Sequence, residues 1–319
     1  MTKRFSILGD SISTFEDITP RGWRVYYAGE QREKTGVRDV EDTWWMRVIE
    51  HFDGELLANA AYSGSLVEGA GFPAASSTQR VSALGGLRRG GRGSVSTLQN
   101  PDVVMVFIGV NDYGWGGAHE QAKAHGNALP AIEQVRCKES AGFPGAIDDQ
   151  TLVRFAEAYQ SMLDKIRHEF PSAEVWCVTL VPGRVRGEAT STFTYNLRGV
   201  DIDAYNEAIR QAARQTGCKI ADIASFGLEY EASDGTHPTA LGMRQIASMV
   251  VAAMTGAEAH DDPGEWSLPL SPTDAWEARR PCNGGVCVNC DQAVATANPW
   301  YLVCGGQIRC SHAEFSPFL

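Results

Sequence analysis

Pro101-Asp102-Val103-Val104-Met105-Val106-Phe107-Ile108-Gly109-Val110-Asn111-Asp112 is the stretch on which the fold turns. From Val103 to Ile108 every residue is apolar, and most are β-branched. Such a run has no polar alternate positions to show to water. It suits a strand buried on both faces, as in the interior of a parallel sheet. Outward from it, less uniformly apolar strands are expected at Phe5–Leu8, Glu55–Ala61, Val175–Leu180 and Lys219–Ile223. Helical periods lie between them. Thr43–Glu50 reads as a helix with Asp42 or Thr43 as its N-cap. Leu152, Phe155, Tyr159, Met162, Leu163, Ile166 and Phe170 recur at spacings of three and four, which is one apolar helix face. Ile202–Thr216 and Ala240–Met254 complete the helices. Residues 12–42 read as polar, aromatic and irregular, and residues 113–150 as a long Gly- and Ala-rich excursion. Strands alternating with helices predict βαβ units, and hence a mostly parallel sheet covered on both sides.

The composition fits that prediction. Of 319 residues, 43% are hydrophobic and 21% charged, enough apolar content for a sizeable core. The formal net charge of −11 repels phosphate backbones, so nucleic acid is not an expected partner. No stretch reaches the roughly 20 apolar residues of a membrane span. The apolar run after Met1-Thr2-Lys3-Arg4 is cut short by Gly9-Asp10, too early for a secretory leader. A cytoplasmic chain is therefore expected, with cysteines as thiols or metal ligands rather than disulfides. The composition is compatible with a homo-oligomer.

In parallel α/β sheets chemistry gathers beyond the carboxyl ends of the strands. There the first strand delivers Asp10-Ser11, the second Ser63-Gly64-Ser65, and the third Gly109-Val110-Asn111-Asp112. The last loop adds Asp234 and His237. These are the parts of an acyl-transfer site. A serine hydroxyl needs a base to take its proton. An imidazole base needs a carboxylate to fix its tautomer. The tetrahedral oxyanion needs preorganised donors. Plainer readings compete: Ser11 as a turn cap, Asn111-Asp112 as an Asx-turn, His237 as a helix cap. Asp10 and Asp112, at adjacent strand ends, could also hold the metal of a phosphohydrolase.

Gly9-Asp10-Ser11, Gly64, Gly109-Val110-Asn111-Asp112 and Asp234-Gly235-Thr236-His237 resemble, in order and spacing, the blocks of the SGNH (GDSL) hydrolases. The resemblance spans roughly residues 5–255. It implies a flavodoxin-like three-layer α/β/α sandwich and serine-dependent hydrolysis of a small-molecule ester. It makes Ser11 the nucleophile, His237 the base and Asp234 its orienting acid. It also makes the Ser11 and Gly64 amides and the Asn111 side chain the oxyanion hole, Asp10 a structural neighbour and Asp112 a loop brace. No cofactor is implied for catalysis. The block reads Gly-Asp-Ser-Ile, without the leucine that names the family. A small acyl group on a carbohydrate is the leading substrate class, with a thioester or lipid ester as the alternative.

Phe15, Trp23, Tyr26, Tyr27, Trp44, Trp45, Tyr113 and Trp115 crowd the segments around these blocks. They serve either as stacking faces for sugar rings or as packing anchors for long loops. Leu84–Ser94 is Gly/Arg-rich and reads as a surface loop rather than a phosphate or RNA site. Cys137, Cys177 and Cys218 read as core or free thiols.

The tail differs in character. The boundaries expected are a hydrolase domain over 1–255, a linker over 256–281 with Trp266 and Trp276, and a cysteine-rich module over 282–319. Cys287 and Cys290 have the bite of a zinc knuckle, and Cys304 and Cys310 supply a second pair. Cys282 and His312 are spare candidates. A segment this small lacks a core of its own, and a structural zinc would supply the missing stability, with disulfides or free thiols as the alternative for these cysteines. Such a module could also make the chain a binding protein built on an inactive hydrolase domain.

Overall fold

The computed structural model describes residues 2–69, 71–88, 97–113, 151–185 and 202–257. Its centre is a sheet of β1 (Arg4–Gly9), β2 (Glu55–Asn59), β3 (Val103–Phe107), β4 (Glu174–Val178) and β5 (Lys219–Ala221). All neighbours run parallel, in the order β2-β1-β3-β4-β5. That is the flavodoxin-like order. The run around Val104 is the middle strand and every residue of it is buried. It pairs with β1 from Phe5↔Val103 to Gly9↔Phe107 and with β4 from Val103↔Glu174 to Val106↔Cys177.

Helices cover both faces. The long ones are α1 (Trp44–His51), α2 (Thr151–Glu169), α3 (Ile202–Thr216) and α4 (Ala240–Thr255). α1 packs with α4, and α2 with α3. The apolar stripe of α2 faces inward as its spacing predicts, with Phe155, Tyr159, Met162, Leu163 and Ile166 fully buried. Thr43 caps α1, its side-chain oxygen accepting the Met46 amide at 3.3 Å. Two small strand pairs lie outside the sheet: Gly86–Arg88 with Thr97–Gln99, and Gly183–Val185 with Tyr230–Ala232. No helix of the described residues is long and apolar enough to cross a membrane.

Several boundaries differ from the sequence expectation: β4 ends at Val178 rather than Leu180, and Gly86–Arg88, expected within a surface loop, is a strand. β2 ends at Asn59, whose side chain accepts the Ala61 amide at 2.9 Å and turns the chain out of the ladder. β5 ends at Ala221, because Ile223–Phe226 winds into a 3-10 turn. Residues 12–42 are not uniformly irregular. Glu30–Thr35 is a short helix that ends on Gly36 in the left-handed region at φ +74°. Its one buried residue is Thr35, so it carries no apolar period to detect.

Candidate active site

The nucleophile candidate sits on a tight turn just past β1. Ser11–Ser13 forms a 3-10 turn whose N-cap is Asp10, the carboxylate accepting the Ile12 amide at 3.0 Å. The cap is therefore Asp10, not Ser11. Ser13 pins the turn from below: its carbonyl accepts the Trp45 indole N–H at 3.0 Å and the Asn59 amide at 2.8 Å. Its hydroxyl accepts the Trp44 indole N–H at 3.2 Å. The turn folds back so closely that a Cβ at Gly9 would lie 2.5 Å from Ser13 Oγ. Arg80, fully buried, ties the neighbouring strand ends together. It donates to the carbonyls of Gly9 at 2.6 Å, Ala60 at 2.7 Å and Pro73 at 2.7 Å.

The imidazole arrives from the loop before α4. Asp234 Oδ1 accepts the amides of Thr236 at 3.0 Å and His237 at 2.8 Å, an Asx-turn that curls the loop around its own carboxylate. Its other oxygen, Oδ2, lies 2.6 Å from His237 Nδ1. His237 Nε2 lies 2.9 Å from Ser11 Oγ. A neutral ring with its proton on Nδ1 donates to Asp234 and accepts the serine proton at Nε2. Burial pushes the Asp234 carboxyl up, but the neighbouring His237 charge and hydrogen bonds outweigh it. The net value falls to about 2. His237 does not cap α4; Thr239 does, accepting the Gly242 amide at 3.2 Å.

The third strand end braces the second. Asn111 Nδ2 donates to the Ser65 carbonyl at 3.0 Å. The Asp112 carboxylate accepts the Val67 amide at 2.9 Å and the Glu68 amide at 3.1 Å. Both hold the loop that presents Gly64, which lies at φ +80°, where a side chain would be strained. The space over Gly64 is open apart from Arg24, whose Nη1 is 3.6 Å from where a Cβ would stand. Asp10 and Asp112 thus both spend carboxylate oxygens on backbone amides, which favours cap and brace over a metal pair.

Most of the aromatic residues turn out to be anchors. Trp44, Trp45, Tyr27 and Tyr113 are fully buried and Phe15 nearly so, so none offers a face to a sugar. Tyr26 lays its ring on His237 instead, with centroids 3.4 Å apart and planes 5° apart. Trp23 stays near the surface, packed with Tyr62 and Phe72. The sequence gives no sign of the roles of Thr14 and Arg80, and it leaves Tyr26 open between a stacking face for a sugar and a packing anchor, without its place on the imidazole. Cys177 and Cys218 are free thiols, as expected. Among the described residues no group of three or more His, Cys, Asp or Glu side chains could hold a metal ion. Trp115, Cys137, Trp266, Trp276, Cys282, Cys287, Cys290, Cys304, Cys310 and His312 lie outside the described residues, as do positions 89–94 of the Gly/Arg-rich stretch.

A parallel α/β sheet with a serine, an imidazole and a carboxylate in hydrogen-bond sequence beyond its strand ends is the make-up of a hydrolase. The chain belongs to the GDSL-like lipase/acylhydrolase family, whose model matches residues 3–202. Ser11, Gly64 and Asn111 fall within that match, and Asp234 and His237 beyond it. No curated protein matches the chain. Among solved structures it is similar to a protein described as a GDSL-like lipase from Bacteroides uniformis, at 21% identity and a TM-score of 0.49, over 80% of this chain and 96% of that one. A protein so described from Bacteroides ovatus is 21% identical with a TM-score of 0.47, over 80% and 99% of the two chains. A phospholipase A1 from Streptomyces albidoflavus is 16% identical with a TM-score of 0.42, over 81% and 100%.

Proposed function

We propose that this chain hydrolyses carboxylic esters through an acyl-enzyme on Ser11. The observation that carries the reading is the unbroken relay Ser11 Oγ, His237 Nε2, His237 Nδ1, Asp234 Oδ2, with steps of 2.9 Å and 2.6 Å. Ser11 Oγ attacks the ester carbonyl while its proton passes to Nε2. Asp234, ionised at any working pH, stabilises the imidazolium so formed. The carbonyl oxygen gains a charge that the Ser11 and Gly64 amides and the Asn111 side chain receive. Nε2 then returns the proton to the departing alkoxide, and the alcohol leaves. Water attacks the acyl-serine by the same route, releasing the acid. All proton transfers use the chain's own residues, with no cofactor.

For the substrate, the reading is a small acyl group on a carbohydrate or another small ester. The partly exposed rings of Trp23, Tyr62 and Phe72 and the exposed Arg24 beside Gly64 support it, as flat faces and a polar donor at the rim. Short- and long-chain acyl esters, assayed on wild type, Ser11→Ala and Asn111→Ala, test both parts. Ser11→Ala should lose turnover and covalent labelling by a fluorophosphonate. Asn111→Ala should lose about 10²–10³ in kcat with little change in KM. A serine variant that still turns over would overthrow the mechanism, and an Asn111 variant with normal kcat would remove that residue from the oxyanion hole.

A further inference from the structure

We propose that Tyr26 is a positioning residue for the triad, fixing the plane of the His237 ring and tying it to the nucleophile turn through Thr14. The proposal rests on the reading of Ser11 and His237 as nucleophile and base. The two hydrogen bonds of His237 run through Nδ1 and Nε2, on opposite sides of the ring. They fix where the ring sits but leave it free to rock about the line joining them. Rocking swings the Nε2 lone pair off the Ser11 proton. The Tyr26 ring removes that freedom, because it lies flat on the imidazole, 3.4 Å between centroids and 5° between planes.

Tyr26 is itself held at two points, and its neighbour Tyr27 at a third. Its backbone N–H donates to Thr14 Oγ1 at 2.9 Å, and Thr14 Oγ1 donates to the Ser11 carbonyl at 2.9 Å. Its phenol donates weakly to Asp234 Oδ2 at 3.4 Å, the same oxygen that faces His237 Nδ1. Burial, and then the nearby Asp234 charge, push the phenol far up, so it stays a neutral donor. The next residue, Tyr27, donates from its hydroxyl to the Pro238 carbonyl at 2.9 Å, one residue past the base. A closed circuit results: Ser11, Thr14, Tyr26, His237 and back to Ser11. Nucleophile and base come from opposite ends of the described chain, and this segment keeps them in register. Chemistry adds a second reason for the stack. An aromatic face attracts a cation, so the Tyr26 ring favours the imidazolium formed in the transition state, by about 2–30-fold in rate.

The test uses the full-length protein, a short-chain p-nitrophenyl ester, and the variants Tyr26→Leu, Tyr26→Phe and Thr14→Val, with Ser11→Ala alongside. Tyr26→Leu should lower kcat by roughly 10–100-fold, the stack plus the loss of orientation, with KM nearly unchanged. Fluorophosphonate labelling should slow in parallel. Tyr26→Phe keeps the stack and should recover most of that loss, whereas a ring that only fills space would show no such split between kcat and KM. Thr14→Val should fall between the two. In proton NMR the wild-type His237 Cε1–H should be shifted upfield by the overlying ring, and the shift should survive in Tyr26→Phe. A Tyr26→Leu enzyme as fast as wild type beside an inactive Ser11→Ala overturns the proposal, as does Phe performing no better than Leu. If Tyr26→Leu fails to fold, the wild-type spectrum decides, because an unshifted His237 proton removes the stack. An active Ser11→Ala overturns instead the mechanism on which the proposal rests.

Discussion

Asp10 and Asp234 flank the same serine and are pushed in opposite directions. Asp10 lies wholly out of water. Burial, then the nearby Asp112 charge, outweigh the Ile12 hydrogen bond and the Arg80 charge, and its carboxyl rises to about 7. Asp234 falls to about 2. Environments that separate two carboxylates in this way keep one ionised beside the His237 ring and leave the other as a buried cap of the serine turn. A pH dependence follows. In the unfolded chain Asp10 releases its proton near pH 3.9. In the folded chain it holds the proton until about pH 7. Between those values the folded state binds more protons, so this group's contribution to stability falls as pH rises and levels off above about 7. Asp10→Asn stays neutral and still accepts the Ile12 amide. It should gain on wild type as pH rises from about 4 to about 7, as measured by urea unfolding at several pH values. A difference that does not change with pH would place the Asp10 carboxyl in water. At this scale the sequence reveals where the candidate site gathers, because Ser11 and Asn111 each follow an apolar run and the Asp234 block precedes a helical period. Tyr26 could not be found in the same way. Its partner is 211 positions away, and nothing local marks one aromatic in a polar segment as stacked on an imidazole.

Elements meet at Arg80, a residue of the five-residue helix Thr78–Ser82. Its guanidinium joins the ends of β1 and β2, the two strands that carry Ser11 and Gly64. Burial lowers its pKa to about 9, with the Asp10 charge acting against the fall. Arg80→Leu would leave the Ala60 and Pro73 carbonyls without that donor, while the Gly9 carbonyl keeps the Tyr62 amide. Two unpaired buried acceptors cost about 2–6 kcal/mol together. Thermal melting should show a drop of several degrees, and kcat should fall because the two strand ends lose their common tie. A variant that melts like wild type would show that other contacts already fix those ends. β3 and α2 were legible because each repeats one signal over many residues. The helix Glu30–Thr35 was not, since it buries a single threonine, and the arginine clamp was not, since a buried arginine looks like any surface arginine in a string of letters.

Across the whole molecule, the described residues form the hydrolase fold, and the cysteine-rich stretch stands beyond it in sequence. We propose that Cys287, Cys290, Cys304 and Cys310 bind one structural Zn²⁺, leaving no ligand position open for water. Elemental analysis of protein purified without added metal should find about one zinc per chain. Cys287→Ser should release it while esterase activity persists. Metal-free protein would remove the zinc module, and loss of turnover together with zinc would show the tail to be part of the active site. The separation between Ser11 and His237 has a consequence for synthesis. The two meet across 226 positions. At about 5–20 residues per second, a ribosome that has made the serine needs roughly 11–45 s more to make its base. During that interval the growing chain carries a serine with no partner, an enzyme still lacking its chemistry. Ribosome-bound chains arrested before Asp234 should therefore resist fluorophosphonate, and reactivity should arise only once the loop before α4 has emerged.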